Sequence, residues 1–406
     1  MRMAKWKTAL AVLGLVAGSA VVSGTASAQD ANASGSLRVM GFGGDAQLTS
    51  IKHAVERFNG KYPNVKVEIA MDPISQGWGD YVTRILSQFG AHNAYDIYGT
   101  AIETYSSLTS RHLFLPLDDF IAKNPSFNDF APALFKYGSY QGHVYFMPIG
   151  WNNIMINYNR TLFKDAGVDL PKQGWTWNDF RETAKKLTKR DAAGNVLIWG
   201  YEVPNQNFFV QPWFFSNGTS VLNADWTHSN MLDPKVSESL QFLHDLIWVD
   251  KVSPVPGKDM MDNQFLAGQV AMISRGHWIL ENVKKAKMDM DIAIPPAKVT
   301  DDTVIGELTS SETQKEEGEL GGGVPGRHTA AETSGFLSFP PSAKLYWETL
   351  PHTKPVASPP NFQEVEKIFI RYYEAMMANE IPIAEGVKKA HEELEASFKR
   401  LADSSK

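Results

Sequence analysis

The chain has 406 residues, a net charge of −6 and no cysteine. Its acidic and basic residues are spread along the whole length, which excludes a basic surface of the kind that binds nucleic acid. Because there is no cysteine, a disulfide scaffold is excluded as well. The length suits two domains, and a hydrophobic share of 43% against a charged share of 21% is typical of a soluble globular protein with a large core.

The first 28 residues have the pattern of a secretory signal peptide. Three basic residues precede an apolar run over residues 8–22, and Ala26-Ser27-Ala28 follows as a small-residue cleavage site. We therefore predict export with cleavage after Ala28. The alternative, a retained anchor helix, is disfavoured because the apolar run is short and rich in small residues.

Strands and helices alternate through the first part of the mature chain. Apolar runs and period-two patterns predict strands over residues 37–42, 65–70 and 95–98. Apolar residues at helical spacing predict helices over residues 51–58, 81–89 and 106–112. Because strands that alternate with helices form parallel sheets, a parallel sheet covered on both faces is predicted here.

The second part of the chain continues with a strand over residues 154–158. Thr176 is the predicted N-cap of the next helix, and Asp179 stands at the reciprocal position of a capping box. Two further helices and two further strands are predicted over residues 237–250, 263–268, 269–274 and 290–294. Two amphipathic helices over residues 362–378 and 384–401 close the chain.

Short motifs follow one another in order along the mature chain. They are YPNVKV at 62–67, GHVYFMP at 142–148, NYNRTLF at 157–163, TWNDF at 176–180, FLAGQVAM at 265–272, GHW at 276–278 and LTS at 308–310. In this order they resemble the extracellular solute-binding proteins of ABC importers, family 1, which serve mostly sugars.

The resemblance implies an α/β fold of two lobes with a ligand cleft between them. The first lobe would hold residues 36–147 and about 299–329, and the second would hold residues 148–298 and about 330–402. Residues 297–307 depart from the family pattern, because a Gly-Gly segment, a return strand and most of a helix are missing there. A weaker first lobe with an exposed sheet edge is therefore predicted.

Residues 41–46 fit the pattern G-x-G-x-x-A between a predicted strand and a predicted helix. In a dinucleotide site such glycines let a pyrophosphate approach the helix N-terminus, so an exported nucleotide-dependent oxidoreductase is one alternative. We prefer the interpretation that Gly43 and Gly44 offer backbone N–H groups to a solute and that Asp45 accepts bonds from sugar hydroxyls. A helix N-cap is the other reading of Asp45.

Tryptophans and polar residues on predicted loops form the rest of the candidate site. An indole packs on the C–H face of a sugar, and neighbouring polar groups bond its hydroxyls. Core packing is the alternative for each tryptophan. Beyond the glycine turn, the predicted ligand-binding residues are Trp78, Glu103, Trp151, Asn152, Trp213, Phe214, Asn217, Gly276 and Trp278.

These features predict a periplasmic receptor of an ABC importer. It would bind a carbohydrate or polyol, close around it and present it to permease subunits in the inner membrane, without being an enzyme. We expect no metal or other cofactor, no nucleic-acid partner and a monomer. The absence of a lysine or arginine cluster favours a neutral sugar. The alternative is an exported glycoside hydrolase or lyase, which turnover of a sugar would distinguish.

Overall fold

The computed structural model describes residues 32–74, 77–130, 134–135, 138–257, 261–298, 324, 334–349 and 354–404. The predicted signal peptide lies outside these residues, as does the segment at 299–329 apart from Val324. In the described ranges, no helix is both long enough and apolar enough to cross a membrane.

A parallel sheet forms the centre of the first lobe, as predicted. Its strands are β1 (Gly35–Phe42), β2 (Val65–Asp72) and β3 (Ile97–Tyr98), in the spatial order β2-β1-β3. β1 and β2 pair along eight residues, whereas β3 adds only two pairs to β1. The helices of this lobe are α1 (Asp45–Lys61), α2 (Trp78–Gly90), α3 (Ile102–Thr109) and α4 (Asp118–Ala122).

An antiparallel sheet forms the centre of the second lobe. The chain reaches it through a short hairpin of β4 (Ser139–Tyr140) and β5 (His143–Val144). In the sheet, the fully buried strand β6 (Met155–Asn159) has an antiparallel neighbour on each side. The remaining strands are the hairpin pair β7 (Lys189–Arg190) and β8 (Val196–Ile198), and the two neighbours of β6, which are β9 (Met272–Arg275) and β10 (Met290–Ala293).

Helices surround this second sheet, and their caps follow the sequence. The Thr176 hydroxyl accepts the Asp179 N–H at 3.2 Å, and the Asp179 carboxylate accepts the Thr176 N–H at 2.8 Å, which confirms the predicted capping box. The helices are α5 (Arg160–Ala166), α6 (Trp177–Leu187), α7 (Asn207–Phe215), α8 (Pro234–Trp248), α9 (Asp262–Leu266), α10 (Leu280–Ala286), α11 (Ser334–Leu337) and α12 (Lys344–Glu348).

Two long helices close the chain, α13 (Phe362–Met377) and α14 (Ile383–Ser404). The start of α13 contacts the first lobe, where the Gln363 amide donates to the Gly79 carbonyl at 3.2 Å. Its end contacts the second lobe, where the Tyr373 hydroxyl donates to the Pro204 carbonyl at 2.7 Å. One helix therefore packs against both lobes.

The first lobe has a small core and an exposed edge strand. Its buried apolar cluster consists of Tyr81, Val82, Ile85, Tyr98 and Leu108. The side chain of Ile97 on β3 is 51% exposed. Among the described residues, no strand pairs with the outer edge of β3. Residues 299–307 of the shortened connection lie outside the described residues, so the weaker first lobe stays a prediction.

We expect the backbone amides of the edge strand β3 to exchange with deuterated water faster than those of β6. A short edge strand over a small core opens locally at a lower free energy than a strand buried between two partners. Native-state hydrogen exchange with mass spectrometry measures the opening free energy of each strand. The free energy of unfolding of the whole chain is the upper limit for these values. Equal protection of both sheets would show that the first lobe has lost no support.

Candidate functional site

A cleft of about 2150 Å³ lies between the two lobes. The first lobe lines it with the segments that follow the carboxyl ends of β1 and β3 and with the start of α3. The second lobe lines it with α7 and with the turn after β9. Carboxyl ends of parallel strands are the usual ligand edge of an α/β sheet, so the first lobe presents its expected binding edge to the cleft.

Most of the residues predicted to bind ligand do line this cleft. Trp78 is the first residue of α2 rather than a loop residue, and its ring lies edge-on to Phe42 at 5.1 Å between centroids. On the opposite lobe, the ring centroid of Trp278 lies 6.2 Å from that of Phe208. The predicted residues that line the cleft are Gly43, Gly44, Trp78, Glu103, Trp151, Asn152, Asn217 and Trp278.

Trp213 and Phe214 lie in the core of the second lobe instead of the cleft. Trp213 is 1% exposed, and its ring packs against Phe180 at 5.1 Å and Tyr201 at 5.8 Å. The prediction placed both residues on a loop, but helix α7 runs through Pro212 and includes them. The helix turns Trp213 and Phe214 inward and presents Phe208, Gln211 and Phe215 to the cleft.

Asp45 and Gly276 also lie outside the cleft lining, each for a local reason. Asp45 is exposed at the first position of α1, where Gly44 is the N-cap. Gly276 is buried directly behind Trp278: a Cβ atom at Gly276 would lie 2.0 Å from the indole ring. The glycine therefore makes room for the Trp278 ring and does not itself reach a ligand.

The glycine turn after β1 is closed by a side chain of its own helix. Gly43 has φ +97°, in the region that favours glycine. The Gly44 N–H donates to the Gln47 side-chain oxygen at 3.0 Å, so this donor already has an acceptor. A pyrophosphate would need to displace Gln47 from the turn, which disfavours the nucleotide alternative.

Two of the polar residues predicted to bind ligand also anchor neighbouring segments, each through one atom of its side-chain amide. The Asn152 side-chain oxygen accepts the His277 N–H at 2.8 Å, which ties the segment after Pro148 to the turn that carries Trp278. The Asn217 amide donates to the Lys235 carbonyl at 2.9 Å and holds the start of α8. Trp151 exchanges two backbone hydrogen bonds with Val324.

A buried ionic cluster that the sequence did not reveal supports the cleft wall. The Arg275 guanidinium is 0% exposed and donates to Glu202 and to Asp262, both at 2.6 Å. It also lies over the ring of Phe209 at 4.7 Å. Asp262 and Phe209 line the cleft, so Arg275 fixes two wall residues from behind. Burial raises the pKa of Glu202, and the Arg275 charge opposes that rise.

Glu103 is the buried carboxyl group of the cleft. It stands in the first turn of α3, is 8% exposed and lines the cleft. Burial raises its pKa to about 7, and its own backbone N–H opposes the rise. Behind it, burial and the charge of Glu103 raise the pKa of Glu366 on α13 to about 7. Across the described part of the chain, no cluster of His, Asp and Glu is arranged to hold a metal ion.

The profile of the bacterial extracellular solute-binding protein family matches residues 45–314 of the chain. The arabinooligosaccharide-binding protein of Halalkalibacterium halodurans is 24% identical over 243 residues, which are 56% of this chain and 50% of that protein. The maltotriose-binding protein of Pyrococcus abyssi is 20% identical over 251 residues, 62% of this chain and 51% of that protein. The chain thus spans about half the length of these curated relatives.

Solved structures share the fold over most of the chain. An ABC substrate-binding protein from Listeria monocytogenes, in complex with cycloalternan, has a TM-score of 0.78 at 20% identity, over 90% of this chain and 99% of that one. A maltose/maltodextrin-binding domain from Bdellovibrio bacteriovorus, bound to maltotriose, has a TM-score of 0.75 at 18% identity, over 90% of this chain and 100% of that one. These likenesses establish the two-lobe α/β fold.

Proposed function

The chain belongs to the family of bacterial extracellular solute-binding proteins, and on that premise we propose that it is the solute receptor of an ABC importer. It binds a carbohydrate or polyol in the cleft and delivers it to permease subunits in the inner membrane. The observation that carries this proposal is the cleft itself, in which each lobe contributes a tryptophan, Trp78 and Trp278. Indole faces and nearby polar groups suit the alternating C–H and hydroxyl surface of a sugar.

The named relatives support the same class of solute. Two of them are named for binding an arabinooligosaccharide and maltotriose, and two solved neighbours hold cycloalternan and maltotriose. The family consists of binding proteins, which favours a receptor over the hydrolase or lyase alternative. A hydrolase also needs a second free carboxyl group across the sugar. Two other carboxyl groups that line the cleft already have partners: Asp262 is paired with Arg275, and Asp96 accepts the backbone N–H of Arg38 at 2.8 Å.

The lobes are proposed to move as the ligand binds. We divide the chain into residues 36–147 with about 299–329, and residues 148–298 with about 330–402, joined near residues 147–152 and 294–299. A ligand shifts the equilibrium towards the closed form only through contacts that it gains there. Tryptophans on both lobes provide such contacts. Export, cleavage after Ala28, a monomeric state and the absence of a nucleic-acid partner belong to the same proposal.

A thermal-shift screen against a panel of sugars and polyols tests the function. A ligand present at 100 times its Kd stabilises the folded state by about 2.7 kcal/mol, which raises the melting temperature by a few degrees. We expect at least one carbohydrate to do so and to be recovered unchanged. If no panel member raises the melting temperature, the carbohydrate assignment is wrong. If the sugar is cleaved, the hydrolase or lyase alternative takes its place.

Trp278→Ala is expected to weaken binding of that carbohydrate by about 1–3 kcal/mol, because a stacking face is lost. Calorimetry measures the affinity, and thermal unfolding shows that the variant is folded. Trp248→Ala is the matched control, since Trp248 is 41% exposed and lies outside the cleft lining. Native affinity in Trp278→Ala would remove this residue from the binding surface.

A further inference from the structure

Glu103 differs from the other acidic residues of the cleft because it is buried and lacks a basic partner among the described residues. It is 8% exposed and its bonded partner is its own backbone N–H. By contrast, Glu281 and Glu348 lie in surface ion pairs with Lys285 and Lys344. Burying a carboxylate without a cation beside it is energetically costly. A buried, unpaired carboxylate in the wall of an open cleft is therefore suited to a ligand that brings a positive charge.

The helices packed against α3 add negative charge and no free cation. On α2, Arg84 is bound by both oxygens of Asp72, at 2.8 and 2.9 Å. On α13, Glu366 faces Glu103, and Lys367 lies 3.9 Å from Asp80 of α2. At the end of α3, the Arg111 guanidinium is bonded to the Ser107 carbonyl. Each of these described cations is bonded elsewhere, and none of them is paired with Glu103.

The lysines of the cleft belong to the second lobe. Lys298 pairs with Glu238, and the Lys354 ammonium lies 5.9 Å from the centre of the Phe215 ring. Lys235 stands at the start of α8, beside Gly218. All three follow α7 along the chain, whereas Glu103 belongs to the first lobe. The cleft is therefore polarised, with its unpaired acid on one lobe.

Aromatic rings line both sides of the same cleft. Phe42 and Trp78 line the first-lobe side of the cleft, and Phe208 and Trp278 line the second-lobe side. A carboxylate forms a charge-assisted hydrogen bond with an ammonium group, and the faces of aromatic rings attract the same charge. A carboxylate together with several rings is the combination by which proteins recognise amines.

We infer that the cleft takes a cationic solute, an amino-substituted sugar whose ammonium group pairs with Glu103. The inference rests on the proposed receptor function and narrows its ligand class from carbohydrates and polyols to amino sugars. Glu103 supplies the charge, and the indoles of Trp78 and Trp278 supply the faces for the sugar ring. The basis is the position of Glu103 in the cleft wall together with the absence of a protein cation beside it among the described residues.

The test compares sugars that differ only in the substituent at C2 of each ring. The probes are cellobiose, N,N′-diacetylchitobiose and fully deacetylated chitobiose, with glucose, N-acetylglucosamine and glucosamine as the corresponding monosaccharides. Each carries a hydroxyl, an acetamide or an amine at the same position. Titration calorimetry at pH 7 on the mature protein and on Glu103→Gln gives the affinities. Thermal unfolding shows that the variant is folded.

We expect the amine to bind at least about 10-fold tighter than its neutral counterparts, as a charge-assisted bond to a desolvated carboxylate implies. Glu103→Gln should weaken amine binding by about 10-fold or more and weaken the binding of neutral sugars less, so that the preference for the amine is lost. Glu182→Gln is the matched control: it removes one negative charge from an exposed pair with Lys185 outside the cleft and should change neither affinity.

Each result decides between the proposals. Neutral sugars that bind as tightly as the amines, or an equal loss for all sugars in Glu103→Gln, would overturn the cationic ligand and leave the receptor function standing. If neutral panel sugars bind and no amine does, the cationic ligand is likewise overturned and the receptor function stands. If no probe and no member of the wider panel binds, the carbohydrate receptor fails, and the inference fails with it.

Discussion

Replacing Arg275 with alanine is expected to lower the free energy of unfolding by about 3–5 kcal/mol, which is the usual effect of breaking a buried ion pair. The guanidinium is fully buried and bridges Glu202 and Asp262. Without it, Glu202 is left as a buried carboxyl with one fewer donor and no positive charge beside it. Denaturant unfolding measures the change, and Asp262 and Phe209 should then hold the cleft wall less firmly.

Two further variants distinguish this effect from a general loss of charge. Arg371→Ala breaks an exposed pair with Glu393 and should cost less than about 1 kcal/mol. Arg275→Met combined with Glu202→Gln removes both charges of the buried pair and should recover part of the stability, because the carboxylate that remains, Asp262, is 26% exposed. A loss below about 1 kcal/mol in Arg275→Ala would mean that the buried pair contributes no more than a surface pair.

The stability of the unliganded protein is expected to fall as the pH rises from 5 to 8, with Glu103 a main contributor. Burial raises the pKa of Glu103 to about 7, above that of a glutamate in an unfolded chain. The folded state therefore keeps a proton that the unfolded chain releases, and this stabilisation is lost as the pH rises through 7. From the shift, Glu103 alone accounts for about 2 kcal/mol over this range.

Glu103→Gln isolates that contribution. The variant keeps the size of the side chain and cannot ionise, so its stability should be close to that of the parent protein at pH 5 and higher by about 2 kcal/mol or more at pH 8. Urea unfolding at both pH values gives the comparison. Glu182→Gln, at an exposed position, should show no such divergence. Parallel pH profiles for the parent protein and Glu103→Gln would mean that Glu103 is not buried as described.

The order of the strands and helices follows from periodicity and local signals. The apolar pattern of residues 65–70 marks β2, and the capping box at Thr176 marks the start of α6. These signals are short-range, so they can be read without knowledge of the fold. The family resemblance adds the two-lobe fold, which the structural neighbours share.

The side-chain assignments depend on long-range packing, and there the sequence was less informative. Trp213 and Trp278 look alike as loop tryptophans, yet only Trp278 faces the cleft. Proline is disfavoured inside a helix, but α7 passes through Pro212 because the rings on its inner face are held in the core. The partnership of Arg275 with Glu202, 73 residues earlier, has no local signature. The burial of Glu103 likewise depends on α13, which arrives from the far end of the chain.

Small-angle X-ray scattering with and without ligand tests the central claim, that a solute binds between two lobes and closes them. The protein is measured alone and with the carbohydrate that stabilises it most, at a concentration shown by calorimetry to saturate the site. We predict a smaller radius of gyration in the saturated sample, because tryptophans on both lobes contact one ligand only when the cleft is closed. An unchanged radius of gyration at saturation would contradict the account.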